Sequence, residues 1–372
     1  MATRIQRIHA IWGETSRIDA EPDLRTIAPA VYRPASGGAP HHVGPIDEAG
    51  FPAQEPGDRG ADADPDAACG RLPTAPDGLY IPIDRMTHHY GHFIVDILSR
   101  LWPLAGRVAG PVWLVCEPAT GRAYWERYPF LGEMLAGLGL TVDVVVSFEE
   151  PVVLPRAMIP EPSFRSLHSV HGVFGELCQA VGRRYWSEAE VDTVKTPVYL
   201  SKSRLSTGIQ RLVNEADLVD ELARLGVDIL FPEELTFAEQ VRQFAQRRVV
   251  MGINGSAFHT APFSARGRRT IALSGMLHLH ANHIMFDAIN DNRSYYYFTP
   301  GTTSFAEAGF DVGWLIPDPR RVAAQMVARA ENIDRIELYD AAVEAEAARQ
   351  GRSIAGRLRR LRRALTTRWS RG

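Results

Sequence analysis

A histidine-rich stretch contains the residue types needed for proton transfer. His92 and Asp96 are four residues apart, so a helix would place both side chains on one face. A carboxylate at that spacing can accept a hydrogen bond from one imidazole nitrogen and fix the tautomer. The other nitrogen is then free to take a proton from a substrate hydroxyl. A solvated helix start that carries several histidines is the simpler alternative.

A second group of polar residues suits an anion. Lys202 and Arg204 follow a predicted strand together with two serines, and Arg211 comes shortly before a predicted helix. Side-chain cations and helix N–H groups together favour a diphosphate. The alternative is an ordinary connection in an arginine-rich chain, since Lys195 and Lys202 are the only lysines.

A glycine-containing turn is the third candidate. A predicted strand runs into Asn254, Gly255 and Ser256, and a helix opens directly after them. Glycine lets the backbone approach a phosphate, and the helix start supplies positive potential. The stretch matches neither the G-x-G-x-x-G nor the Walker pattern, so a dinucleotide oxidoreductase and a P-loop NTPase lose their main support.

Metal chemistry is a weaker alternative. His88 and His92 have a metal-ligand spacing, and His278, His280 and His283 form a second cluster, but no carboxylate signature accompanies them. The three cysteines include no C-x-x-C pair, which argues against a thiolate zinc site and a disulfide framework. We therefore expect no metal and a reducing cytoplasm.

Strands that alternate with helices must position these groups. The patterns in the first part predict a helix over 87–104 capped by Thr87, a strand over 111–116, a helix over 122–138, strands over 141–148 and 152–159, and a helix over 168–186. Those in the second part predict strands over 198–201, 227–231, 249–253 and 270–274, with helices over 213–225, 237–246 and 257–264. Such alternation indicates parallel sheets covered on both faces.

Composition changes suggest four regions. Residues 1–78 form an N-terminal segment with a Pro/Gly-rich loop over 34–78. Residues 79–190 and 191–317 are the two alternating regions, and residues 318–372 are helical in pattern and end in a basic tail.

As an ordered set, these segments resemble a bacterial member of glycosyltransferase family 61. The similarity runs from about residue 80 to 275, through His89 to Asp96 with Leu98 to Leu101, Tyr199 to Arg204 with Arg211 and Asn214-Glu215, Phe231 to Gln240, and Gly252 to Phe263. It implies an α/β fold of the GT-B type, in which two Rossmann-like doubly wound domains face each other across a cleft. Region 79–190 would then lie on the acceptor side, and region 191–317 would hold the sugar nucleotide. The family pattern commonly has His-Gly-Ala where this chain has Asn254-Gly255-Ser256, and more usually Arg where it has Lys202.

The resemblance also implies inverting transfer without an essential metal. We expect a sugar to pass in a single displacement from a nucleoside diphosphate, expected to be UDP, to a glycan or polysaccharide hydroxyl, with no other cofactor. His92 would be the base and Asp96 its partner. The residues expected at the diphosphate are Lys202, Arg204, Arg211, Asn254, Gly255 and Ser256. Those expected at the nucleoside are Asn214, Glu215, Phe231, Glu233, Glu239 and Gln240. A non-catalytic relative that binds sugar nucleotides or glycans is the alternative.

Overall composition limits the other partners. The chain has 372 residues, with 41 Lys and Arg against 44 Asp and Glu, and this near-neutral balance argues against a nucleic-acid binder. No apolar run is long enough to cross a bilayer. The segment 352–372 contains eight arginines and no acid, so it can lie on anionic lipid at the inner face of the cell membrane, pack on the protein or remain solvated. The oligomeric state is not encoded in these patterns.

Overall fold

The protein has a mixed α/β fold built on two mainly parallel sheets. This computed structural model describes residues 4–34, 42–45, 72–83, 87–106, 108 and 110–349. Most of the predicted loop over 34–78 lies outside the described residues, and so does the arginine-rich tail over 352–372.

The larger sheet, called here the C-terminal sheet, has six strands. They are β1 (Gln6–Arg7), β14 (Val198–Leu200), β16 (Asp228–Leu230), β17 (Val250–Ile253), β18 (Arg269–Ser274) and β20 (Arg293–Phe298). Their spatial order is β1-β20-β18-β17-β14-β16, and only β1 runs antiparallel to its neighbour. The chain crosses from one side of β14 to the other between β16 and β17. The carboxyl ends of β14 and β17 therefore flank the change in strand order, where open α/β sheets bind ligands.

The second sheet, called here the N-terminal sheet, has five strands. They are β4 (Leu24–Ile27), β7 (Leu79–Pro82), β8 (Val112–Val115), β9 (Val145–Val146) and β11 (Arg156–Pro160), in the spatial order β4-β11-β7-β8-β9. All neighbours are parallel except β4 and β11. The strand order changes at β7, and the chain that leaves β7 leads to the histidine-rich segment.

Within the described residues, four small sheets contain the other strands. Their strands are β2 (Ala10–Trp12), β3 (Ser16–Ile18), β5 (Ala30–Arg33), β6 (His42–Pro45), β10 (Val152–Leu154), β12 (Phe164–Arg165), β13 (Ser169–His171), β15 (Gly208–Leu212), β19 (His278–His280), β21 (Thr303–Glu307) and β22 (Phe310–Leu315). The sheet orders are β10-β5-β6, β12-β13-β3, β15-β22-β21 and β19-β2.

Helices cover the sheets. The α-helices are α1 (Tyr90–His92), α2 (Arg122–Arg127), α3 (Pro129–Gly137), α4 (Gly172–Gly182), α5 (Glu215–Arg224), α6 (Phe237–Gln246), α7 (Ala281–Asn290) and α8 (Pro319–Glu331). Residues 336–349 are also helical, which agrees with the helical pattern predicted for residues 318–372 as far as the chain is described. The 3-10 helices span Leu98–Arg100, Trp102–Leu104, Pro118–Thr120, Val142–Val144, Glu188–Glu190, Pro232–Glu234, Ser256–Phe263 and Ile333–Arg335, and a π-helix spans Phe93–Ile97.

Several local predictions needed correction. The segment predicted as one helix over 87–104 winds as α, π and 3-10 turns in succession, and its N-cap is His89 rather than Thr87, which accepts from the His89 amide. The strand predicted over 152–159 is two strands, β10 and β11, in different sheets, and the helix predicted over 168–186 is strand β13 followed by α4. The helix predicted over 122–138 is broken before Pro129, because proline disfavours a helical conformation at the residue that precedes it. The strand predicted over 141–148 is short, since Thr141 forms a local turn by accepting from the amide of Asp143.

An apolar cluster joins the N-terminal sheet to helices of the C-terminal half, and the C-terminal sheet has separate clusters of its own. The largest buried cluster combines residues of the N-terminal half with Phe237, Phe263 and Phe286 from the C-terminal half. The two halves also pack closely at one glycine. Gly182 of α4 lies directly against the carbonyl group of Phe263. That carbonyl oxygen accepts a hydrogen bond from the Trp186 indole at 3.0 Å. The packing leaves no room for a side chain at residue 182.

Gly182→Ala should therefore destabilise the fold. The added methyl group would overlap backbone, so we expect the free energy of unfolding to fall by about 3 kcal/mol or more in urea titrations. Gly132→Ala is the matched control, since its methyl group would meet only an ordinary contact with Val142 at 3.6 Å. That helical site should gain about 0.5–1 kcal/mol. Equal stability changes in the two variants would contradict the packing described for Gly182.

Candidate active site

The Lys202 ammonium group lies against the turn formed by residues 254–256, called here the Gly255 turn. Lys202 follows β14 and the turn follows β17, so two neighbouring strand ends bring them together. The Lys202 Nζ donates to the Asn254 carbonyl oxygen at 3.2 Å. A Cβ on residue 255 would overlap that nitrogen, so glycine leaves the space that the ammonium group occupies. Burial lowers the pKa of Lys202 to about 8.

A buried carboxyl group organises the loop that holds Lys202. The Glu215 Oε1 accepts from the Tyr199 hydroxyl at 3.1 Å, the Ser201 hydroxyl at 3.0 Å and the Lys202 amide at 2.9 Å. Burial raises the pKa of Glu215, while these three hydrogen bonds and the Lys202 charge oppose that rise. Glu215 is 1% exposed, so its carboxyl group lies beneath the loop rather than on its surface.

Arg204 lies on the exposed side of the same loop. Its guanidinium group lies over the Phe231 ring, 3.6 Å from the centroid, and donates to the Glu234 Oε1 at 2.5 Å. Burial raises the pKa of the neighbouring Glu233, partly offset by the charges of Arg204 and Lys202. The strand ends of β14 and β16 therefore place Arg204, Phe231 and Glu233 together.

Arg211 and Asn214 lie beside the small sheet β15-β22-β21. Arg211 is on β15, and its guanidinium group pairs with the Glu307 carboxylate at 3.4 Å. Both polar ends of the Asn214 amide bond the backbone of Ile316, at 2.8 and 3.3 Å. Arg211 is thus held by a different element from the one that holds Lys202.

The two remaining residues expected at the nucleoside lie at the start of α6, whose predicted bounds are confirmed. The Glu239 carboxylate accepts from the amide and hydroxyl of Thr236, each at 2.8 Å, and completes a capping box. The Gln240 Nε2 donates to the carbonyl oxygens of Pro232 at 3.0 Å and Leu235 at 3.3 Å. Both side chains therefore fix the loop that carries Glu233.

The predicted pair of His92 and Asp96 forms across the π-helix. The His92 Nδ1 lies 3.0 Å from the Asp96 Oδ2, and the two side chains are 60% and 51% exposed. With the carboxylate accepting at Nδ1, the exposed Nε2 is the nitrogen free to accept a proton. The His89 ring lies 4.7 Å from the His92 ring. Burial lowers the pKa of His89, and the charge of Lys202 adds to that effect.

The helix that carries His92 touches the Gly255 turn. A Cβ on Gly91 would lie 2.9 Å from the Ser256 Cβ, closer than real Cβ atoms come, so these two residues are in direct contact. The neighbouring Tyr90 hydroxyl bonds the Thr260 hydroxyl at 2.7 Å. The structure therefore brings the His92 pair, Lys202 and the Gly255 turn into one region.

Buried neutral histidines lie behind this region. Burial lowers the pKa of His283 to about 3 and that of His259 well below its ordinary value, and the Lys202 charge contributes to both. Their rings are 5.3 Å apart. His88 instead bonds the Tyr124 hydroxyl at 3.0 Å. Among the described residues no group of three or more His, Cys, Asp and Glu side chains is arranged to hold a metal ion.

A comparison with protein families found a match that covers this site. Residues 90–271, just under half of the chain, match the family model described as Glycosyltransferase 61. The match confirms the resemblance over that range and supports a glycosyltransferase activity, which uses a sugar donor and a glycan acceptor. It includes both His92 and the Gly255 turn. The search of curated proteins found no match.

No helix within the described part of the chain is both long and apolar enough to span a membrane.

Sequence analysis did not assign Tyr90, Gly91, His259 or Thr260 to the site. All four lie inside the stretches that resemble the family, so proximity in sequence to His92 and Gly255 was the available signal. Their contacts with one another join residues that are 170 positions apart, which no local pattern reveals.

Gly255→Ala should separate anion binding from folding. The methyl group would displace only the flexible end of Lys202, so we expect an almost unchanged melting temperature. Because the ammonium group would leave the turn, UDP affinity in isothermal titration should fall about tenfold or more. Gly172→Ala is the control, since the space around that glycine is open. Unchanged UDP affinity in Gly255→Ala would remove Lys202 and the turn from the anion site.

Proposed function

We propose that the protein is an inverting glycosyltransferase that moves a sugar from a nucleoside diphosphate to a hydroxyl group of a glycan by single displacement. The supporting observation is the contact of Gly91 with Ser256. That contact joins an exposed histidine–carboxylate pair to a turn that holds the ammonium group of Lys202. Direct displacement needs a base next to a diphosphate site.

In this mechanism His92 removes the proton of the acceptor hydroxyl as its oxygen attacks the anomeric carbon. The bond from that carbon to the diphosphate oxygen breaks in the same step, so the configuration inverts. Lys202 and the N–H groups of Gly255 and Ser256 stabilise the charge that develops on the leaving diphosphate. Fixed donors aimed at developing charge contribute about 3–4 kcal/mol each. Asp96 holds the His92 tautomer and stabilises the imidazolium.

The nucleoside would lie toward Arg204. Phe231, Glu233 and Arg204 form one surface beside Lys202, and they offer a ring face, a carboxylate and a cation. Asn214, Glu215, Glu239 and Gln240 would act indirectly, because their polar groups hold the loops around this surface. Arg211 would approach the diphosphate only by leaving Glu307.

The two sheets support a GT-B arrangement for this reaction. Each is mainly parallel, and each has a change in strand order next to one half of the site. The acceptor would bind toward the N-terminal sheet and the sugar nucleotide toward the C-terminal sheet.

His92→Ala should abolish transfer and leave nucleotide affinity unchanged within about twofold, because His92 faces the acceptor rather than the diphosphate. The assay measures nucleoside diphosphate release from the sugar nucleotide that a thermal-shift panel selects. His168→Ala is the matched control, since His168 forms a comparable exposed pair with Glu14 at 2.9 Å. Loss of nucleotide binding in His92→Ala would assign His92 to the donor site. Binding without turnover in the wild type would favour a non-catalytic sugar-nucleotide-binding protein.

UDP affinity should also depend on pH through Lys202. The bound anion favours the ammonium form, so binding raises the pKa of Lys202 above its value of about 8 in the free protein. Affinity is therefore full only well below pH 8, where Lys202 of the free protein is charged, and it falls as the pH rises through 8 to 9.5. In Lys202→Arg the guanidinium group stays charged, so titration calorimetry over this range should give a flat profile. A wild-type profile without a slope would show that Lys202 does not bind the diphosphate.

A further inference from the structure

The two halves of the candidate site meet at a contact that we call the seam. It consists of Tyr90 and Gly91 on one side and Ser256, His259 and Thr260 on the other. Gly91 lies against Ser256 and against the His259 Nδ1, with 3.3 Å between that nitrogen and the position of a Cβ on Gly91. The Tyr90 and Thr260 hydroxyls bond across it at 2.7 Å, and Thr260 is fully buried.

The hydrogen bonds across the seam continue to Gln240. The Thr260 hydroxyl lies 3.4 Å from the Gln240 Oε1, which can accept its single proton. When Thr260 donates to Gln240, the Tyr90 hydroxyl donates to Thr260. Burial raises the pKa of Tyr90, so the phenol keeps this proton. Gln240 in turn donates to the carbonyl oxygens of Pro232 and Leu235, which flank Glu233.

This chain of bonds connects three parts of the site. Tyr90 is two residues before His92, Thr260 is four residues after Ser256, and Gln240 holds the loop of Glu233. A tilt of the helix that carries His92 would break the bond from Tyr90 to Thr260, because the bond crosses between the two halves. Gly91 permits the close approach of the His92 helix to the Gly255 turn, and the hydrogen bond of Tyr90 limits how that helix can tilt.

On the basis of the proposed function, we propose that Tyr90 is a positioning residue that holds His92 at a fixed distance from the Gly255 turn through its hydrogen bond to Thr260. Tyr90 takes no part in bond making. Its effect is on the geometry of attack, where a displacement of about 1 Å can reduce the rate a hundredfold.

Tyr90→Phe removes only the hydroxyl group. We expect kcat for release of UDP from a UDP-sugar to fall 10- to 100-fold, while the Kd of UDP stays within twofold of the wild type. Thr260→Val should behave in the same way, and Thr260→Ser, which keeps the hydroxyl, should retain near wild-type kcat. Tyr80→Phe is the matched control, because the Tyr80 hydroxyl also forms a hydrogen bond of 2.7 Å, to the Pro76 carbonyl oxygen and away from the site.

A second readout needs no turnover. Proton NMR follows the His92 imidazole signal, assigned by its loss in His92→Gln, as UDP is added. In the wild type the bound diphosphate should move this signal, because a negative charge is placed across the seam. In Tyr90→Phe, where the distance is no longer fixed, that change in chemical shift should be half or less of the wild-type value, whereas Tyr80→Phe should keep it.

The outcomes separate the two proposals. If UDP binds the wild type and Tyr90→Phe keeps both the wild-type kcat and the full response of His92, the positioning role is overturned and the proposed function stands. If neither UDP nor any other nucleoside diphosphate of the thermal-shift panel binds the wild type, the proposed function is overturned, and the positioning role with it. If Tyr90→Phe loses UDP affinity in parallel with kcat, Tyr90 serves the anion site rather than the orientation of His92.

Discussion

The ammonium group of Lys202, held between two strand ends, is the feature on which the candidate site depends. It requires a glycine at residue 255, because a side chain there would occupy the same space. It requires the Glu215 carboxyl group beneath the loop, which accepts three hydrogen bonds and leaves the ammonium group facing the turn. A change in strand order at β14 brings these groups together. A half-buried ammonium group whose only hydrogen bond in the described residues goes to a neutral carbonyl is suited to an anion.

The charges around the Lys202 ammonium group also favour a bound anion. His259 and His283 are buried and stay neutral, since burial and the Lys202 charge both lower the pKa values of their rings. Protonation of either ring would place a second positive charge in the interior. The Glu215 and Glu233 carboxyl groups both interact with the ammonium charge, and Glu215 does so from below the loop. In the proposed function, the positive potential at the diphosphate comes mainly from Lys202 and the N–H groups of the turn.

Close backbone approach gives the two halves their relative position. Gly182 lies against the Phe263 carbonyl, Gly175 lies against the Ile289 carbonyl, and Gly91 lies against Ser256. A Cβ on Gly175 would be 2.8 Å from that carbonyl oxygen. These contacts let α4 and the helix of His92 pack directly on the chain that follows the Gly255 turn. The shared aromatic core then fills the remaining space, so the site geometry depends on packing far from the site.

Local physics determined much of the protein from the sequence alone. The pattern over 237–246 predicted the bounds of α6, apolar runs located β14, β17 and β18, and the spacing of His92 and Asp96 was enough to predict their hydrogen bond. Only the tertiary structure decided how the turns from 90 to 104 wind, because the core surrounds that segment on nearly every side. It also decided that the Asn214 and Gln240 amides hold loops, and that Tyr90 meets Thr260. A spacing along one helix is a property of the chain, whereas these contacts exist only once two distant segments have packed against each other.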